Sequence, residues 1–201
     1  DPRLDSWRIF ASHIGADGLQ IEADLAVAPI AGVSEQHNPR IASMGLSGRP
    51  YIGAAVTWED NRETGSSIRD IYAQNVHLDP VDPWSRGWNN DGVPVCNAVR
   101  DQIRPRIAAR GDPIQNIAKV LIVFEDHRDY VTTGIDVYCN ALNGLNGDRL
   151  WAESTGGLLC DEPHDQQYPE VDLLNDFVVA WQDWREGTHA DIYGNLLYLT
   201  D

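Results

Sequence analysis

The sequence predicts an all-β fold, and three observations lead to that prediction. Two short patterns recur in order along the 201 residues, at intervals of 55 to 66 residues. The apolar segments are as short as strands, for example residues 119–124 (KVLIVF) and 176–181 (DFVVAW). No apolar stripe recurs with the period of ~3.6 residues that an amphipathic helix requires.

The first pattern places an aromatic residue, Asp and Arg at alternate positions and continues to Asp-Ile/Val-Tyr. It occurs three times, as Trp58, Asp60, Arg62, Asp70 and Tyr72, then Phe124, Asp126, Arg128, Asp136 and Tyr138, then Trp181, Asp183, Arg185, Asp191 and Tyr193. Because an active site is asymmetric and this set recurs, we predict a structural role. Asp60 would cap a turn, and Arg62 would pair with Asp70 across a hairpin. The alternative is a carboxylate pair with Arg, as in a glycosidase or sialidase-like site.

The second pattern is an acidic residue followed by Gln-x-x-Pro. Its glutamines, Gln36, Gln102 and Gln166, are 66 and 64 residues apart. Cys96 and Cys160 each stand six residues before a glutamine, so they occupy equivalent positions and are not expected to bond to each other. Cys139 lies on another predicted strand and could form a disulfide with Cys160. The alternative is that all three cysteines are buried free thiols.

Each unit offers four predicted strands. Strand A follows the proline, and strand B is the apolar run, which we expect to be buried on both faces. Strand C begins at Asp-Ile/Val-Tyr, and strand D precedes the next glutamine. Residues 1–18 match a broken copy, with Arg8-Ile9-Phe10 in place of Asp-Ile-Tyr.

Four antiparallel strands repeated in this way are typical of the blades of a β-propeller. The chain would form a single domain over residues 1–201, with units at roughly 1–38, 39–104, 105–168 and 169–201. This gives three to four blades, of which the first and last are incomplete, so further chains or a longer chain would complete the propeller. A parallel β-solenoid is the weaker alternative.

The segment from residue 57 to residue 105 resembles the repeats of large secreted bacterial proteins, similar in style to TolB-type propeller repeats. The residues that carry the resemblance are TWEDNR, RDIYAQ, DGVPVC and DQIRP. The resemblance implies a secreted or surface propeller without a defined reaction. Arg8, Ile30 and Phe124 depart from the pattern.

The chain is acidic, with 15 Lys and Arg against 31 Asp and Glu, a net charge of −16. Such a charge disfavours nucleic acid and anionic membranes as partners. No apolar run reaches the ~18 residues of a membrane helix, so we predict no membrane insertion. We expect an extracellular, cell-surface or periplasmic location.

Other motifs point to few sites. The loops at residues 79–92 and 143–148 carry Asp, Asn and Gly, which suit Ca²⁺, but neither has the calcium-loop spacing D-x-[DN]-x-[DN]-G followed by Glu at position twelve. We predict no metal or cofactor, with calcium as the remaining alternative. The six His lack zinc-ligand spacing, and G-x-S-x-G is absent. Trp84, Trp184 and His189 have no counterpart in the other units and are the binding candidates, whereas Trp88 and Trp151 are expected in blade packing.

The sequence therefore predicts a binding or scaffolding module for protein or glycan, without catalysis. One alternative is a carbohydrate-active enzyme, which would need a converging pair among the non-repeating acids Glu22, Asp24, Asp82, Asp129 and Glu153. The other alternative is a structural subunit of a multi-chain assembly.

Overall fold

The computed structural model describes residues 7–29, 35–45, 53–62, 69–77, 85–112, 117–151, 154–173 and 175–199. All of the regular secondary structure in these ranges is β-strand, so the all-β prediction is confirmed. The same ranges contain no helix that could cross a membrane.

The strands form four antiparallel sheets, numbered here in chain order. Sheet I contains β1 (Phe10–Ala11) and β2 (Leu25–Ala26). Sheet II contains β3 (Gln36–Ser43), β4 (Gly53–Asp60), β5 (Asp70–His77), β6 (Ser85–Arg86) and β7 (Val93–Cys96). Sheet III contains β8 (Gln102–Asp112), β9 (Ile117–Asp126), β10 (Asp136–Asn143) and β11 (Gly157–Cys160). Sheet IV contains β12 (Gln166–Leu173), β13 (Phe177–Asp183) and β14 (Asp191–Leu197).

Neighbours in the chain are neighbours in each sheet. Sheet III runs β8-β9-β10-β11, which is the predicted order A-B-C-D. Sheet II has the same arrangement, with β7 paired to β5 and the short β6 beside the far end of β5. Sheet I holds only the C and D strands, and sheet IV holds only A, B and C. The described residues do not show a closed propeller.

Each strand A starts three residues before the proline at which it was predicted to begin. The earlier start includes a bulge that the sequence did not predict. The register shifts between His37 and Arg40 in β3, and at the corresponding places in β8 and β12. Asn38, Arg104 and Tyr168 take the left-handed conformation there, with φ of 51°, 53° and 53°. A bulge of this kind bends the strand and lets ladder pairing resume beyond the proline.

The core lies between consecutive sheets. The aromatic residue of each strand B faces the preceding sheet, so Phe124 packs against sheet II and Trp181 against sheet III. The opposite faces of sheets II and III are covered by the following sheet, and Leu121 of β9 is fully buried. In sheet IV the equivalent Val178 is 41% exposed. The prediction that strand B is buried on both faces is therefore wrong for β13, where no described element covers one face.

The three cysteines are free and buried. Burial raises the pKa of Cys96 and of Cys139 to about 12. Cys139 stands opposite Gly157, while Cys160 stands opposite Val137. Cys139 therefore acts as an apolar packing group. The Cys96 thiol instead donates to the carbonyl of Thr155 at 3.0 Å, and the Cys160 thiol donates to Asp183 at 3.6 Å.

Candidate functional site

The recurring Asp-x-Arg set closes the hairpin between strands B and C in the same way three times. Asp60, Asp126 and Asp183 each accept the backbone N–H two residues on, at 2.9, 2.8 and 2.9 Å. The arginine then donates from its own side chain to the same carboxylate at 2.5 to 2.6 Å. Its guanidinium carbon lies 3.8 to 4.0 Å from the centre of the strand C tyrosine ring. Each set thus forms a hairpin clamp of carboxylate, guanidinium and phenol.

The clamp differs from the predicted pairing of Arg62 with Asp70. Arg62 folds back onto Asp60, which is two residues earlier, and lies over Tyr72. Asp70 is the cross-strand partner of Asp60 in the β4–β5 ladder. Because Arg62 follows Asp60 by only two positions in the turn, its guanidinium stays beside this nearer carboxylate, and the salt bridge is local.

Two of the clamp carboxylates, Asp183 and Asp60, have lowered pKa values because they accept several hydrogen bonds. Burial alone would raise the pKa of Asp183, but hydrogen bonds from Arg185 and Trp181 lower it to about 2. Burial is likewise outweighed at Asp60, whose pKa falls below its usual value because of Arg62 and Trp58. Because their pKa values are lowered, these two carboxylates cannot serve as general acids near neutral pH.

Asp136 differs from the clamp carboxylates. It is 1% exposed and accepts one hydrogen bond from the Thr133 hydroxyl at 2.8 Å. Burial, followed by repulsion from Asp129, Asp161 and Asp126, raises its pKa to about 6. Asp191, which begins strand C in the third copy of the pattern, is by contrast exposed, and its carboxylate lies 3.4 Å from the His189 ring.

The acidic-Gln pattern joins consecutive sheets. The backbone N–H groups of Gln36, Gln102 and Gln166 donate to the carbonyls of Trp7, Arg69 and Ile135, each near the start of strand C of the preceding sheet. The side chains of Asp101 and Asp165 accept the N–H groups of Arg69 and Ile135 at 3.1 Å. The pattern is therefore a sheet boundary rather than a binding motif.

Two buried glutamates complete these boundaries, and sequence reasoning missed them. Glu59 and Glu125 are 1% and 0% exposed. Glu59 accepts the backbone N–H of Arg104 at 2.8 Å, and Glu125 accepts that of Tyr168 at 2.7 Å. Each glutamate immediately precedes a clamp aspartate, and this recurrence in the sequence is the signal that could have identified them.

A groove opens between the hairpin loops of sheets III and IV, with a volume of about 500 Å³. We call it the loop groove. It is lined by Tyr130, Thr132, Thr133, Gly134, Pro163, His164, Asp165, Trp184 and Gly187. The lining combines two aromatic rings with hydroxyl, imidazole and carboxylate groups.

The three predicted binding residues have different outcomes. Trp184 is half-buried and lines the loop groove. His189 is exposed and is not part of the lining, so the structure does not bring it together with Trp184. Trp84 lies outside the described residues. Sequence reasoning missed Tyr130 and His164, which come from two other loops.

The remaining tryptophans support the packing prediction. Trp88 is buried and donates its indole N–H to the carbonyl of Gly144 at 3.1 Å. Trp151 packs against the core between sheets III and IV. Trp7, by contrast, is 69% exposed.

The loops considered for Ca²⁺ and the non-repeating acids of the enzyme alternative lie only partly within the described residues. Within the described ranges, no group of three or more His, Cys, Asp or Glu is placed to hold a metal ion. In the loop at residues 143–148, Asn146 and Asp148 bond to each other as in an ordinary turn.

Of the non-repeating acids, Asp24 accepts hydrogen bonds from Ser12 and Gln20, and neither Glu22 nor Asp129 lines the loop groove. Asp82 and Glu153 lie outside the described residues. Asp165 is the one carboxylate among the lining residues, and it already accepts the Ile135 N–H.

Comparison with models of protein families, with curated proteins and with solved structures gives no match for this chain.

Proposed function

We propose that the chain is part of a β-propeller and acts as a secreted or surface-displayed bacterial binding module, with a glycan held in the loop groove. The propeller architecture is supported by the two complete A-B-C-D sheets and by the same boundary hydrogen bonds before sheets II, III and IV. Secretion follows from the resemblance of residues 57–105 to secreted repeats, and acidity suits a soluble surface.

The composition of the loop groove is the observation that carries the glycan proposal. Tyr130 is 53% exposed and Trp184 is half-buried, so both rings offer an apolar face at the groove. Pyranose rings stack on such faces through their C–H groups. Thr132, His164 and Asp165 can exchange hydrogen bonds with sugar hydroxyls. A volume of about 500 Å³ lies within the range of small-ligand sites, roughly 300 to 1,000 Å³.

A glycan array followed by calorimetry tests this proposal. We expect binding of one glycan class, and Trp184→Ala should weaken it at least about tenfold because a stacking surface is lost. Trp7→Ala is the matched control, since Trp7 is exposed and outside the groove. Binding that survives Trp184→Ala would contradict the assignment, and analysis of the bound glycan for cleaved products tests the enzyme alternative.

A second candidate function, assembly with another protein chain, is favoured by the uncovered face of sheet IV. Ile192 is 72% and Leu196 is 43% exposed, whereas the equivalent Val137 and Ala141 of sheet III are fully buried. Light scattering over a range of concentrations tests self-association. We expect oligomers that dissociate in Ile192→Asp, and a monomer at all concentrations would count against a homomeric assembly.

A further inference from the structure

Within the part of the chain that the structure describes, β1 has a strand partner on one edge only. In sheets II, III and IV the equivalent strands β5, β10 and β14 each pair with a strand B. Among the described residues, no strand pairs with the corresponding edge of β1. The carbonyl of Ile9 accepts the N–H of Val27 from β2. Because backbone groups alternate along an antiparallel strand, those of the next residue, Phe10, point to the unpaired edge.

An apolar cleft of about 500 Å³ lies beside this edge, between sheet I and strands β3 and β4 of sheet II. Its apolar walls come from both sheets and include Ile9, Val27, Ile41, Val56 and Val76. Unpaired backbone groups next to an apolar cleft are the features that strand addition uses. Main-chain hydrogen bonds supply the pairing, and alternate side chains enter the cleft.

The boundaries between sheets II and III and between sheets III and IV show which kind of strand fills the position that corresponds to the cleft. Ile41 is 65% exposed, whereas its equivalent Ile107 packs against the core formed with β4 and β5. Pro39 is exposed, whereas Pro105 and Pro169 are buried beneath the preceding sheet.

The strand B residues that pack toward the core of the following sheet, such as Ala55, Leu121 and Val123, are small or aliphatic. At the end of the strand, Glu59 and Glu125 instead accept backbone N–H groups of that sheet. The cleft is therefore shaped for an extended segment of the strand B type.

We propose that the cleft binds an extended apolar peptide segment, which adds to the free edge of β1 as a new strand. The segment requires aliphatic side chains at alternate positions toward sheet II, as Leu121 and Val123 provide toward sheet IV in β9. A charged side chain at those positions would be buried without a partner and is excluded. This site is separate from the loop groove and does not depend on glycan binding.

The probe is a fluorescein-labelled peptide with the sequence of residues 119–126, KVLIVFED, added to the whole chain and followed by anisotropy. We expect saturable binding. Ile41→Asp should weaken it at least about tenfold because a charge enters the apolar cleft. Val99→Asp is the matched control, since Val99 is also an exposed aliphatic residue, at 50%, but lies outside the cleft and outside the exposed face of sheet IV, and it should leave the affinity within about twofold.

Two N-methylated peptides test the pairing itself. One carries methyl groups on the amides of Leu121 and Val123, and the other on those of Ile122 and Phe124. Alternate amides point to opposite edges of a strand, so one peptide should lose binding and the other should keep it. Absence of binding by the unmodified peptide, equal binding by both methylated peptides, or a loss caused by Val99→Asp rather than by Ile41→Asp would overturn the proposal. Trp184→Ala should not change peptide binding.

Discussion

Removal of one clamp carboxylate, by Asp126→Ala, should destabilise the chain by about 3 kcal/mol. The Asp126 side chain is fully buried and accepts two hydrogen bonds from Arg128, one from its backbone and one from its guanidinium. Breaking a buried ion pair from one side costs about 3–5 kcal/mol. The lower end applies because Arg128 is 16% exposed and keeps its contacts to Thr155 and Tyr138.

Urea unfolding followed by tryptophan fluorescence measures this loss. With a slope of about 2 kcal/mol per molar urea, the midpoint should fall by about 1.5 M. Asp126→Asn keeps an oxygen for the Arg128 N–H and should lose less, about 2 kcal/mol. Asp129→Ala removes an exposed acid from the same turn and should stay within about 0.5 kcal/mol of the wild type. An unchanged midpoint in Asp126→Ala, or lost ligand binding at full stability, would refute the structural role of the clamp.

Three further outcomes are expected. The folded chain holds the Asp136 proton up to a pKa of about 6, above the ordinary 3.8, so the wild type should lose about 1–2 kcal/mol relative to Asp136→Asn as the pH rises from about 4 to about 7. Urea titrations at the two pH values that give equal differences would contradict this. Gly92→Ala should lower stability by about 2–3 kcal/mol, because its φ is +79° and the new Cβ would lie 2.7 Å from the Trp58 ring. Gly18→Ala, with φ +80° and open space, should lose only about 1 kcal/mol in the same assay. The buried Cys139 thiol, with its pKa raised to about 12, should react with a thiol reagent only after unfolding, and rapid labelling of the native chain would argue against its burial.

The sequence predicts the strands well because they depend on local patterns. Apolar runs bounded by turn residues locate β4, β9 and β13 to within a few residues. The bulge at Asn38, Arg104 and Tyr168 was not predictable, because three different side chains take the same left-handed conformation. Arg104 and Tyr168 have one feature in common: the backbone N–H of each is accepted by a glutamate of the preceding sheet. Only the packed structure reveals this.

The candidate site was less predictable for a similar reason. Trp184 stood out because it has no counterpart in the other units. Tyr130 and His164 belong to separate loops, and the loop groove exists only because sheets III and IV pack side by side. The direction of Arg62 was also beyond the sequence, since Asp60 and Asp70 are opposite each other and both lie within reach of a long side chain.

The boundary hydrogen bonds give the molecule a particular thermodynamics. Gln102 and Glu59 join sheets II and III, while Gln166 and Glu125 join sheets III and IV, and neither set reaches beyond the adjacent sheet. The free energy of such a stack is a sum of one contribution per sheet and one per nearest-neighbour contact, as in a one-dimensional lattice. We therefore expect cooperativity to pass from one sheet to the next in single steps along the described part of the chain.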